Sequence, residues 1–115
     1  MTAEELSGVI IKGMEEKKAS NIVVMDLRDI KNTVTDFFVV CSGASDTQLE
    51  AISASIEEEV AKAGAEKPWR SEGKANRQWI LMDYVNVVVH IFPNETREFY
   101  GLEELWGDAK VTHIN

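Results

Sequence analysis

Between Gln78 and Phe92 the chain reads QWILMDYVNVVVHIF, and this stretch constrains the fold more than any other. A strand sends successive side chains to opposite faces of its sheet, so alternation can be read directly as facing. Placing a chain reversal at Asp83 to Asn86 gives two strands in which Ile80, Met82, Val87, Val89 and Ile91 share one face. That set is hydrocarbon and thioether only, which suits burial against helices. The opposite face carries Trp79, Leu81, Asp83, Asn86, Val88 and His90. A turn centred between Tyr84 and Val85 sets Trp79 opposite His90, Leu81 opposite Val88 and Asp83 opposite Asn86. A large aromatic, an imidazole, an acid and an amide among apolar groups suit a surface that is sometimes wet and sometimes covered. Register decides which residues meet across it, and a one-residue slip would rebuild the face.

The rest of the chain supplies the elements that such a hairpin needs. Thr2 and Glu5 form a capping-box pattern ahead of Leu6, Val9, Ile10 and Met14 at helical spacing, predicting a helix over residues 3–18. NIVVMDL from Asn21 reads as a strand. In the polar connection that follows, Ile30 and Val34 are expected to pin an otherwise exposed segment. Phe37 to Cys41 is nearly continuous and apolar, as a central strand buried on both faces should be. Ser42 to Ser45 form a small-residue turn, and Ser45 with Gln48 makes a second capping box. Leu49, Ile52, Ile56 and Val60 then line a helix to about Lys62, with Gly64 placed for a left-handed C-terminal residue.

AEKPWR, residues 65–70, suits a short edge strand, and Ser71 to Arg77 a polar loop. Phe99, Leu102 and Trp106 are spaced for one short helix or two turns broken around Gly101. Trp69 and Trp106 each flank a segment that needs an anchor, so both are expected to pack. These elements predict an α/β fold, one domain over residues 1–107 with a mixed sheet of about five strands and packed helices. Residues 108–115 read as a C-terminal tail that should fray.

Charge and chemistry narrow the function. A chain of 115 residues with 44% hydrophobic and 28% charged residues is the size and composition of one soluble domain. Its formal net charge of −8 argues against a direct grip on nucleic acid, which needs clustered Lys and Arg, and favours basic protein surfaces. Cys41 is the single cysteine and reads as a small buried hydrophobe, and no apolar run is long enough to span a membrane. A cytoplasmic protein is expected. The order of elements is reminiscent of nucleotidyltransferase-like domains, whose magnesium ions are held by carboxylates, usually two of them one residue apart on a strand. Here Asp26 and Asp29 are three apart at a strand end and Asp83 stands alone at a turn. The Ser42 to Ser45 turn has the donors to cradle a phosphate, but no such carboxylate pair to hold a metal beside it. His113 lies in the tail, and His90 is expected as a half-buried imidazole stacked on or hydrogen-bonded to Trp79. No catalytic residue, metal site or cofactor is expected.

Three ordered blocks, TDFFVVCSGAS (35–45), WILMDYVNVVVHIF (79–92) and ETREFYGLEELWGDA (95–109), resemble the ribosomal silencing factor family, the Iojap-like proteins. The resemblance covers nearly the whole chain. It implies a small α/β fold related to nucleotidyltransferases without their active site. It also implies binding to ribosomal protein L-fourteen on the intersubunit face of the large ribosomal subunit, blocking subunit joining and lowering translation when nutrients are scarce. Organelle relatives act in large-subunit assembly. With the hairpin reading, the resemblance marks Trp79, Leu81, Asp83 and His90 as contacts with Glu98 and Tyr100 near the rim: Trp79 as the apolar anchor, Asp83 and Glu98 meeting Lys or Arg. The chain departs from the family at Tyr84-Val85-Asn86, where a glycine and an acid are expected. Because a valine resists positive φ, a wider turn or one of another type is expected. Two other classes remain: a nucleotidyltransferase-type enzyme, disfavoured by its missing carboxylates, and a homodimeric adaptor that pairs the Trp79 face with its own copy.

Overall fold

The first helix is closed at its N-terminus by the reciprocal bonds the sequence predicts. The Glu5 amide donates to Thr2 Oγ1 at 3.0 Å, and the Thr2 amide donates to Glu5 Oε1 at 2.8 Å. In this computed structural model, which describes residues 1–65, 67–76 and 78–114 with the Phe99 side chain excepted, α1 spans Ala3–Glu16. It stops short of residue 18 because Lys18 turns to positive φ and leads into β1 (Ser20–Asp26). The readings placed on Arg77 and on the Phe99 side chain lie outside the described residues.

After β2 (Phe37–Gly43), α2 (Asp46–Lys62) begins with Ser45 Oγ accepting the Gln48 amide at 3.1 Å. The reciprocal arm departs from the expected box. Gln48 Oε1 accepts from Ala44, not from Ser45, at 2.7 Å, while its Nε2 donates to the Lys17 and Lys18 carbonyls at 3.1 Å each. One glutamine thus ties the end of α1 to the start of α2. It also occupies a donor of the small-residue turn that a phosphate would have needed. Gly64 has the positive φ expected beyond α2.

Three short elements follow the helix pair: β3 (Arg70–Glu72), β4 (Ile80–Asp83) and β5 (Val87–Pro93). Next come α3 (Arg97–Tyr100) and α4 (Leu102–Leu105), broken at the left-handed Gly101, and last β6 (Lys110–His113). The strands form one six-stranded mixed sheet in the order β3-β4-β5-β2-β1-β6. Only β2 and β5 run parallel, and every residue of β2 is buried, as its unbroken apolar run predicts. The sixth strand corrects the expectation of a fraying end. Lys110 to His113 pair with β1 from Asp26 back to Val23, and the Ile114 amide donates to the Ile22 carbonyl at 2.8 Å. β-branched Val111 and Thr112 suit that edge, which would otherwise expose unpaired β1 backbone.

Helices α1 and α2 cover one face. Ile10, Met14, Leu49, Ile52, Ile56 and Val60 pack there against Ile80, Met82, Val87, Val89 and Ile91, the apolar set read from the hairpin. Each fully buried aliphatic side chain of this kind contributes about 1.5–3 kcal/mol relative to exposure. The two helices approach closely at Gly13, where a Cβ would fall 2.8 Å from Ile56 Cα, and Ser55 Oγ donates to the Gly13 carbonyl at 2.8 Å. On the opposite face Val23, Met25, Leu27, Phe38, Val40, Phe92 and Leu102 form a second, smaller cluster under α3 and α4.

The hairpin keeps its predicted faces but not its predicted partners. Leu81 stands opposite His90 and Asp83 opposite Val88, a register shifted by two residues. The cause is a reversal centred one residue later than expected, between Val85 and Asn86, which leaves the four residues 84–87 between Asp83 and its partner where two were expected. The Tyr84 amide donates to the Val87 carbonyl at 2.9 Å and the Asn86 amide to the Tyr84 carbonyl at 3.0 Å, a γ-turn about Val85. Val85 accordingly takes φ of +76°, the conformation its β-branch was expected to refuse. Asp83 Oδ1 accepts the Val85 amide at 2.8 Å, and the Asn86 carbonyl is held by the Asp36 and Phe37 amides. Asn86 therefore belongs to the turn and not to the Trp79 face. Because the shift is an even number of residues, no strand side chain changes face.

Candidate partner-binding face

Trp79 enters the sheet just before β4, beneath the loop that carries Gly73. That loop lies so close that a Cβ on Gly73, whose φ is +86°, would meet the Trp79 carbonyl oxygen at 1.9 Å. From this position the indole Nε1–H donates to His90 Nδ1 at 2.9 Å, diagonally across the two strands. The ring also lies against Phe92 and Tyr100, with centroids 5.0 and 4.9 Å away. The expected meeting of Trp79 with His90 therefore occurs, although the residue directly facing His90 is Leu81. His90 is only 3% exposed, more deeply set than the half-buried imidazole expected. Burial drives its pKa down to about 3, so the ring is neutral at pH 7, and since Nδ1 accepts, the proton sits on Nε2.

Two shallow recesses flank this pair. One, of about 360 Å³, is lined by Trp79, Leu81, Glu72, Gly73 and Asn76. The other, of about 280 Å³, lies between the 32–35 segment and the hairpin, and Leu81, Asp83, Val88, His90, Phe38 and Trp106 are among its walls. Leu81 borders both. Asp83 sits at the turn end, with its second oxygen 3.8 Å from Arg70. The sheet therefore assembles Trp79, Leu81, Asp83, His90 and Tyr100 on one side. Glu98 is placed elsewhere, on the wall of a separate cavity of about 570 Å³ that it shares with Glu95, Glu103, Asn94 and Ser42.

That cavity is organised by Arg97, which the sequence reading did not single out. Arg97 is buried, and its guanidinium donates to the Asn21 carbonyl, to Ser42 Oγ at 3.2 Å and to Glu103 at 3.1 Å. It pins the start of α3, and so Tyr100, to the β1 and β2 strands. A lone arginine in a polar stretch carries no sequence signal of burial.

Two exposed apolar residues also depart from expectation. Trp69, expected to pack, is 72% exposed with the Arg70 guanidinium 5.7 Å from its ring centroid, whereas Trp106 does pack, edge-on to Phe38 at 5.4 Å. Val34 is 95% exposed and pins nothing; Ile30 alone of that pair packs on the second cluster. Val85 is 54% exposed at the hairpin tip. The remaining candidates for chemistry stay apart. The Cys41 thiol is fully buried and pushed up to about 12 by desolvation, and His113 lies exposed on β6. Among the described residues no group of three His, Cys, Asp or Glu is placed to hold a metal ion, and no helix is long and apolar enough to cross a membrane.

Comparison with known proteins agrees with this architecture. The chain matches the model of the family described as "Ribosomal silencing factor during starvation" over residues 1–115. It is 34% identical over 114 residues to the ribosomal silencing factor of Halalkalibacterium halodurans, covering 99% of this chain and 96% of that protein. A crystal structure of a Chromobacterium violaceum protein superposes with a TM-score of 0.87 at 29% identity, over 100% of this chain and 94% of that one. A mouse protein named "Mitochondrial assembly of ribosomal large subunit protein 1" is 29% identical over 100 residues, 85% of this chain and 43% of that protein. The aromatic-centred sheet face thus stands on the fold and sequence of a family named for ribosomal silencing, and the chain belongs to the ribosomal silencing factor family.

Proposed function

We propose that the protein binds the large ribosomal subunit in the cytoplasm through ribosomal protein L-fourteen, and that its bulk on the joining surface excludes the small subunit and represses translation. The observation that carries this reading is the Trp79 indole, fixed by its bond to His90 and flanked by Tyr100 and Leu81 on a half-open sheet face. A large aromatic held in one orientation, with polar groups at its rim, has the composition of an interface hot spot. Trp79, Leu81 and Tyr100 supply the apolar contact, with His90 beneath them. Asp83 meets basic side chains of the partner, and the net charge of −8 steers the encounter with a basic ribosomal protein. The name of the mouse relative, which refers to large-subunit assembly, favours the same subunit. Blocking a joining surface is steric and needs no catalytic step.

The direct test is titration of purified ribosomal protein L-fourteen with wild type and Trp79→Ala. Removal of a central aromatic anchor should cost about 2 kcal/mol or more of binding energy, roughly thirtyfold in affinity. Equal affinities would remove Trp79 from the contact, and absence of wild-type binding would remove the partner.

A further inference from the structure

His90 carries one ring nitrogen for which the free protein has no use. The Trp79 bond fixes the proton on Nε2, and Nε2 is enclosed without any acceptor among the described residues. Phe38 stands nearly perpendicular to the imidazole at 4.6 Å between centroids, a contact weaker than the hydrogen bond this donor lacks. The ring gives its Nδ1 edge to Trp79 and also forms part of the recess between the 32–35 segment and the hairpin. The recess is largely apolar inside, and Val34 and Val85 are exposed along its lip.

These features define what fits. A buried neutral donor asks for a lone pair and offers no charge, so a cation gains nothing there. Asp83 on the wall and the net charge of −8 disfavour a carboxylate or phosphate, and Arg70, the one cation lining the recess among the described residues, already lies 3.5 Å from Glu72 and 3.8 Å from Asp83. A peptide carbonyl remains, and the apolar walls suit the side chain beside it.

We propose that this recess receives a loop or extended segment of the protein partner, which sets a backbone carbonyl on His90 Nε2–H and an apolar side chain against Leu81, Val88 and Trp106. The inference rests on the large-subunit reading of this face, and extends it from the Trp79 side to a second lobe at Val34 and Val85. Because Nε2 is closed to water in the free protein, the carbonyl reaches it as the recess walls part, a side-chain adjustment of a kind common at interfaces.

Two substitutions separate the two jobs of the imidazole. His90→Asn keeps an amide oxygen near Nδ1 to accept from Trp79 but has no donor at the Nε2 position, whereas His90→Gln places an amide donor near Nε2 and gives up the Nδ1 acceptor. Binding of both to purified large subunits is measured beside wild type and Trp79→Ala. The expected result is a loss of about tenfold for His90→Asn, the scale of one unmade hydrogen bond, and a smaller loss for His90→Gln, which keeps the Nε2 donor but frees the Trp79 indole. A second readout covers poor folding of either variant: in ¹⁵N-labelled wild type the His90 Nε2–H proton resonance should move downfield on adding ribosomal protein L-fourteen. Wild-type affinity in His90→Asn, or an unmoved Nε2–H resonance in the complex, overturns the proposal while a Trp79→Ala defect leaves the large-subunit reading standing. Failure of wild type itself to bind overturns both. Loss of self-association in His90→Asn with subunit binding intact also overturns it, by making the occupant a second copy of this chain.

Discussion

The Trp79 indole and the His90 imidazole are joined by a 2.9 Å hydrogen bond in which the histidine is the acceptor. That polarity requires a neutral ring, and burial keeps it neutral by lowering the His90 pKa to about 3. The unfolded chain binds a proton near pH 6.5 where the folded chain does not, so His90 contributes stability that is full above pH 6.5 and declines as pH falls toward 3. The slope attributable to one such group is at most about 1.4 kcal/mol per pH unit. Asp26, held down to about 2 chiefly by its hydrogen bond from Arg28, adds a loss only below about pH 4. Urea unfolding between pH 6.5 and 5 therefore isolates the histidine. Stability should fall across that window in wild type and stay nearly level in His90→Asn.

Val85 holds the γ-turn at a φ of +76° that a β-branched residue rarely adopts. Val85→Gly should hold or raise stability, by up to about 1 kcal/mol, because relief of backbone strain outweighs the entropy lost on ordering glycine. Its side chain is half exposed, so little packing is lost. Denaturant midpoints at pH 7 check the sign, and a loss above about 1 kcal/mol would contradict the strain argument.

Gly73 sets the height of the loop over Trp79. Gly73→Ala would place a methyl 1.9 Å from the Trp79 carbonyl oxygen, so the loop must shift. The expected cost is about 1–3 kcal/mol of stability, the range for forcing a bulky atom into a close backbone contact. A changed indole N–H resonance should accompany it, since the displaced Trp79 leaves His90.

Arg97 is the tie between α3 and the strands beneath it. Arg97→Met keeps much of the buried stem but removes the donor that Ser42 Oγ, the Asn21 carbonyl and Glu103 accept from. Loss of charge-assisted bonds of this kind costs about 1.5–3 kcal/mol each, and the net destabilisation should fall in the range for one. Hydrogen exchange should quicken around residues 97–105 before it does so in β2, because α3 is released while the central strand remains covered.

The facing of Trp79, Leu81 and His90 was legible because a period of two survives an even shift of register. The register itself was not, since it depends on a valine accepting left-handed backbone with help from Asp83 Oδ1, a local compensation invisible in propensity. Helix starts at Thr2 and Ser45 were legible as caps, but the reach of Gln48 back to Lys17 and Lys18 is a tertiary contact. β6 was missed because a short run beside polar residues gains its order only from pairing with β1. Trp69 and Arg97 exchanged the places that hydropathy assigns them, the aromatic exposed and the cation buried. In the candidate site, Trp79, Leu81, Asp83, His90 and Tyr100 were brought together, while Glu98 joined a different cavity.

Binding to the large subunit and exclusion of the small one are both read in a single sucrose gradient of separated ribosomal subunits mixed with the protein under joining conditions. Wild type should travel with the large subunit and reduce the joined-ribosome peak, while Trp79→Ala should stay at the top of the gradient and leave that peak unchanged. Wild type remaining at the top at low salt, or a joined peak that persists with wild type bound, would contradict the proposed function.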